Sequence, residues 1–184
     1  MERRAVLKDL ILIAGGITLL PACLDQPGKA SIALKNLDIS ADQEKLLADV
    51  ADTIIPNTNT PGAKELGAHL FVLKMLDDCY EQTDQEQFIR GLNDLDKSTK
   101  QRFGRSFVKC TASERTQMLL SVEGKETFNA EVYDFYKIMK EKTLQGYLTS
   151  RYVVRDIMKY ELIPTVPYNG YHLIKNTKDH GRQS

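Results

Sequence analysis

The chain has 184 residues, 42 % apolar and 27 % charged, with 25 Lys+Arg against 25 Asp+Glu for a formal net charge of zero. That length supports one domain with a real core, and the balance is that of an ordinary globular protein. No Lys/Arg cluster stands out along the chain, and the lack of a strong positive field argues against a nucleic-acid partner.

The first segment opens Met1-Glu2-Arg3-Arg4-Ala5-Val6-Leu7-Lys8, runs apolar over residues 10–20, and closes on Pro21-Ala22-Cys23. A charged start, a short apolar middle and a small residue before a cut are the parts of a secretory signal. About 11 apolar residues make a helix of roughly 16 Å, too short for ~30 Å of hydrocarbon. Arg3 and Arg4 followed by Val6-Leu7-Lys8 resemble the twin-arginine export consensus, with Val6 where Phe is commoner. Gly15, Gly16 and Thr18 dilute the apolar stretch, which also suits that route.

Leu20-Pro21-Ala22-Cys23 resembles a lipobox. It implies cleavage before Cys23 and acylation there, with ~0.8 kcal/mol gained per buried CH₂ and durable anchoring once more than one chain is attached. Residues 1–22 are therefore read as a twin-arginine lipoprotein signal peptide. Removing them takes away three basic and two acidic side chains, leaving 22 and 23, a formal charge of −1. Residues 23–39 lack periodicity and read as a lipidated tether whose flexible part would reach roughly 20–25 Å.

Residues 40–174 read as a helical domain. Ser40 with Gln43 forms a capping box ahead of Leu46, Leu47, Val50, Ala51, Ile54 and Ile55 at helical spacing, and Pro56 stops that helix. Asn57-Thr58-Asn59-Thr60-Pro61-Gly62 is a loop of turn formers. Thr60 is placed to cap a second helix with Pro61 in its first position, running to about Tyr80. Thr83 with Glu86 predicts a second capping box before Phe88, Leu92, Leu95 and Phe103, and Thr111 with Glu114 a third before Met118, Leu119 and Val122. Phe128, Val132, Phe135, Tyr136 and Met139 mark a fifth helix, and residues 144–160 a sixth. Strand signals are nearly absent. The expected fold is all-α, a single compact bundle of about six helices, followed by a polar tail at 175–184.

Cys79 and Cys110 stand 31 residues apart. In an oxidising compartment they either form a disulfide, stabilising by roughly 3–4 kcal/mol through loop entropy, or remain two separate thiols. His69, His172 and His180 lack a neighbouring nucleophile motif and read as surface or capping residues. The acidic set Asp77, Asp78, Glu81 and Asp84 lacks the oxygen spacing and mid-loop glycine of an EF-hand. Phosphate loops and dinucleotide fingerprints are absent, and the aromatic row Phe128, Tyr133, Phe135 and Tyr136 reads as core and partner surface. No convergent set of titratable groups points to catalysis, so neither catalytic, cofactor-binding nor metal-ligating residues are assigned.

Several segments together resemble the gluconate 2-dehydrogenase subunit 3 family. They are Ala51-Asp52-Thr53-Ile54-Ile55-Pro56, Thr60-Pro61-Gly62-Ala63, Asp77-Asp78-Cys79-Tyr80 and Phe88-Ile89-Arg90-Gly91-Leu92, together with the leader. Residues 143–149 followed by Pro167-Tyr168-Asn169-Gly170 look like that family's C-terminal half. The resemblance implies a cofactor-free helical subunit bound to an FAD-carrying dehydrogenase of the glucose–methanol–choline type, often with a multihaem cytochrome c as electron acceptor. The small subunit would supply the export signal and carry the folded flavoprotein out with it. Pro56, Thr60, Pro61 and Gly62 are the candidate partner contact; a plain connector between helices is the alternative. The rival functions are a free-standing envelope lipoprotein that binds a ligand or scaffolds, and an enzyme in its own right.

Overall fold

A computed structural model of the protein describes residues 28–124 and 128–160. Ser40 opens helix α1 (Ala41–Ile54) through the expected capping box: its hydroxyl accepts from the Gln43 backbone N–H, and the Gln43 side chain accepts from the Ser40 N–H. Two of the unpaired donors at the helix start are thereby satisfied. Ile55 ends α1 in an extended conformation, so Pro56 falls just past the end, where its missing N–H costs nothing.

The second helix starts later than the sequence suggests. Thr60 and Pro61 do not cap it. Residues 62–67 close one separate turn, with Leu66 N–H donating to the Gly62 carbonyl and Ala68 N–H to that of Ala63. Gly67 at φ 69° then interrupts the ladder, and α2 runs Ala68–Cys79. Helix α3 spans Gln82–Phe103. Its expected Thr83–Glu86 box does not form, because the helix begins two residues early, at Glu81 as N-cap. The Gln85 side chain explains the tight junction: it donates at 3.0 Å to the carbonyls of Leu76 and Tyr80 and so ties the end of α2 to the start of α3.

A 3-10 turn (Phe107–Lys109) leads to α4 (Ala112–Glu123), whose Thr111–Glu114 capping box forms as expected. Asn129 caps α5 (Ala130–Leu148) by accepting from Val132 N–H. The two helices expected in this stretch are one as far as Leu148, since nothing between residues 139 and 144 breaks the ladder. The break comes at Thr149 and Ser150, whose hydroxyls bond the Gln145 carbonyl and the Val153 N–H, and a π-helical turn (Tyr152–Ile157) follows.

Five α-helices and the π-helical element make the all-α bundle, and the described residues contain no strand, merely one isolated bridge between Lys29 and Ser40. Helix α5 is the centre, packing chiefly on α3 and α2. Gly91 permits the α3–α5 approach, since a Cβ there would lie 2.5 Å from Phe135 Cβ. Phe88 and Phe135 meet beside it with centroids 4.8 Å apart, a tilted pair. Leu47, Val50, Leu73, Leu76, Leu92, Leu95, Met118 and Met139 complete the buried interior.

Residues 28–39 correct the tether reading. They form a strap laid over the bundle, with Leu37 and Ile39 buried. Asp77 is the latch: its carboxylate accepts the backbone N–H groups of Lys35 at 3.0 Å, Asn36 at 2.6 Å and Leu37 at 2.9 Å. At the other end of the strap Glu44 accepts from the Ser31 N–H and hydroxyl, both at 2.6 Å. No described helix is long and apolar enough to cross a membrane.

Candidate functional site

The loop after α1 is exposed from residue 56 to residue 60, yet its backbone is pinned. Ala63 N–H donates to the Ile55 carbonyl at 2.9 Å, Thr58 N–H to that of Thr60 at 3.1 Å, and the Asn57 amide to Glu65 at 2.6 Å. Gly62 lies against the incoming chain: a Cβ would sit 2.5 Å from Asn57 N and 2.8 Å from the Pro56 carbonyl carbon. Glycine is required there by steric closeness. Pro56, Thr60, Pro61 and Gly62 are thus brought together in one rigid turn, as the composition suggests.

A buried ion cluster supports this turn from behind. Asp49, with a side chain 5 % exposed, accepts from Lys64 at 2.6 Å and from Arg115 at 3.1 Å. Arg115 also donates to the carbonyls of Phe107 and Val108 and lies over the Phe107 ring. Helix α1, the 62–67 turn and α4 are joined at one carboxylate. A buried pair of this kind fixes geometry more than it adds stability.

His69 lies close by and is buried, which corrects its reading as a surface or capping residue. Its Nδ1 has no hydrogen-bond partner among the described residues. Burial lowers its pKa, Glu44 and Asp49 pull the other way, and Lys64 adds to the lowering. The result is a neutral imidazole packed as a core side chain.

The turn is continuous with the end of α5. Tyr147 donates its hydroxyl to the Pro61 carbonyl at 3.1 Å, across 86 positions of sequence. On the outer side of α5, one turn apart, Leu144 and Leu148 are 40 % and 56 % exposed. Ile157, Met158 and Tyr160 extend the exposed apolar series past the helix end. Leu144 also borders a shallow groove of about 390 Å³ with Tyr133, Tyr136, Lys137 and Lys140. Burial and the neighbouring Glu123 push the Tyr136 phenol up to about 12, so it stays protonated and donates to that carboxylate. The aromatic row is therefore divided: Phe135 and Tyr136 are buried, Phe128 and Tyr133 half-buried.

Cys79 and Cys110 are not bridged. Cys79 is exposed at the end of α2, and Cys110 is buried after the 3-10 turn. Burial and Glu114 push the Cys110 thiol up, which suits a packed thiol rather than a reactive one. Asp77 of the acidic set is occupied by the strap, and no group of three or more His, Cys, Asp or Glu among the described residues is placed to hold a metal. Arg3, Arg4 and Cys23 lie outside the described residues, as do His172 and His180. Sequence reasoning missed the Asp77 latch and the Asp49 cluster; a carboxylate on the apolar side of each helix was the available signal.

The described residues thus form an all-α fold in which a pinned loop adjoins an exposed apolar helix end. The chain belongs to the gluconate 2-dehydrogenase subunit 3 family, whose model matches residues 41–165. No curated protein and no solved structure matches the chain. Family membership makes it a subunit that associates with other dehydrogenase subunits.

Proposed function

We propose that this chain is the non-catalytic accessory subunit of a periplasmic FAD-dependent dehydrogenase acting on gluconate or a related sugar. Its work is to aid twin-arginine export, stability and membrane tethering of the flavoprotein subunit. The flavin belongs to that larger partner, of the glucose–methanol–choline type, with a multihaem cytochrome c as the further electron acceptor. Arg3 and Arg4 carry the export signal, and Cys23 carries the lipid. The family match supports the assembly. The observation that carries the reading is the surface made by the 56–62 turn and the end of α5, where Tyr147 binds the Pro61 carbonyl beside exposed Leu144 and Leu148.

An apolar series of this kind on a small soluble fold marks an interaction surface, and a pinned loop loses little entropy when it docks. Twin-arginine export accepts folded cargo, so a cofactor-loaded partner docked on this surface leaves the cytoplasm as a complex. Affinity purification of the full chain from its native membranes tests the pairing. A yellow flavoprotein in stoichiometric amount is the expected companion; a chain recovered alone, from cells with dehydrogenase activity, contradicts it.

A further inference from the structure

Four lysines from three elements converge on one groove of about 560 Å³. Lys45 comes from α1, Lys97 and Lys100 from α3, and Lys109 from the 3-10 turn, and all four are exposed. The acidic groups of the groove are Asp42 and Asp96. Asp96 is already occupied, by Lys100 at 2.6 Å and by the Ser106 hydroxyl and Phe107 N–H. Lys45, Lys97 and Lys109 have no ion-pair partner among the described residues. Four ammonium groups against two carboxylates leave the concave face with a formal excess of two positive charges, a seat for anionic oxygen.

The strap decides what that face meets. It places Gly28 at the amino-terminal end of α1, where the Gly28 carbonyl accepts from Ala41 N–H at 3.1 Å and Lys29 pairs with Ser40. Asp42 and Gln43 of the same helix turn line the lysine groove. From Cys23 to Gly28 the chain has five steps, at most about 18 Å fully extended. An acyl group on Cys23 therefore holds this end of α1 near the headgroups, whereas the 56–62 turn lies at the opposite end of α1, about 20 Å along the axis.

We propose that the groove of Lys45, Lys97 and Lys109 seats the phosphates of anionic phospholipids, so that the acylated N-terminus and the groove together set one face of the domain on the membrane. The inference rests on the lipid reading of Cys23 for its placement, and it leaves the 56–62 turn, at the other end of α1, clear of the groove. An ammonium group near an anionic surface contributes roughly five-fold in partitioning, so the three together contribute about 100-fold. Salt at about 1 M shortens the screening length to roughly 3 Å and removes the effect.

Lysine acetylation footprinting on the full chain isolated from membranes tests this, with phosphatidylcholine vesicles prepared with and without phosphatidylglycerol. Protection of Lys45, Lys97 and Lys109 that needs phosphatidylglycerol and disappears in high salt is expected, with Lys64 and Lys140 modified equally in both vesicles. Equal modification of the three lysines in both vesicles overturns the proposal. Protection by inorganic phosphate over phosphatidylcholine alone also overturns it, by making the groove a site for a soluble anion. The triple variant K45Q/K97Q/K109Q in a C23A background should bind phosphatidylglycerol vesicles about 100-fold more weakly than C23A alone; unchanged binding counts against the groove. The mass of the N-terminal peptide reports the lipid separately: an unacylated Cys23 with the lysines still protected refutes the anchor and leaves the groove standing.

Discussion

Asp77 ties the strap to α2 by accepting three consecutive backbone N–H groups. It is fully buried, and burial alone pushes its pKa up; the N–H groups of Lys35, Asn36 and Leu37, with Lys74, outweigh that and hold it at about 2. Because the folded value lies below the ordinary 3.8, the carboxylate's contribution is complete above about pH 4 and is lost as pH falls towards 2. Asp77→Asn removes the negative charge these donors converge on and turns amide hydrogens towards Lys74 and the Lys35 N–H, which Oδ2 accepts in the parent. It should cost about 3 kcal/mol in urea unfolding and release amide exchange in residues 28–39; a variant as stable and as protected as the parent contradicts the latch. His69 acts in the opposite range. Its lowered pKa means that the unfolded chain takes up a proton below the ordinary 6.5 that the folded chain resists, so stability falls as pH drops below 6.5. His69→Phe should flatten that slope, as read from urea midpoints at pH 7 and pH 5.

Among the elements, the two capping boxes that formed and the one that did not make a matched comparison. Thr111→Ala removes a hydroxyl that accepts from the Glu114 N–H and should cost about 1 kcal/mol. Thr83 is exposed inside the first turn of α3 and makes no cap, so Thr83→Ala should stay within ~0.5 kcal/mol of the parent. Thermal melts of the two variants check both. The contrast also explains what was legible. Ser40–Gln43 and Thr111–Glu114 are decided by four adjacent residues, and hydrophobic spacing placed most of the core of α1, α3 and α4. The start of α3 was decided by Gln85 reaching back to the end of α2, and the start of α2 by the left-handed Gly67. Those are tertiary choices that a local pattern does not encode. The strap was hidden for the same reason, since Asp77 meets residues 35–37 from about 40 positions away. Of the candidate site, the 56–62 turn was readable from its Pro, Asn and Gly content. Its union with α5 through Tyr147 was not.

At the scale of the whole molecule, α1 separates two surfaces. The lysine groove and the entry of the strap lie at its amino-terminal end, the rigid turn at its carboxy-terminal end. In the proposed assembly the first meets lipid and the second, continued by Leu144 and Leu148, meets the flavoprotein. Leu144→Glu with Leu148→Glu alters exposed positions and should leave the melting temperature of the chain nearly unchanged. It should weaken co-purification of the partner by about 2 kcal/mol, roughly 30-fold; equal recovery places the interface elsewhere. The central claim concerns transport, and it is tested most directly by changing Arg3 and Arg4 to lysine in cells that carry the dehydrogenase. The account predicts that flavin-dependent dehydrogenase activity disappears from the periplasm while the flavoprotein accumulates, folded, in the cytoplasm. Periplasmic activity at the parental level in that strain would contradict it.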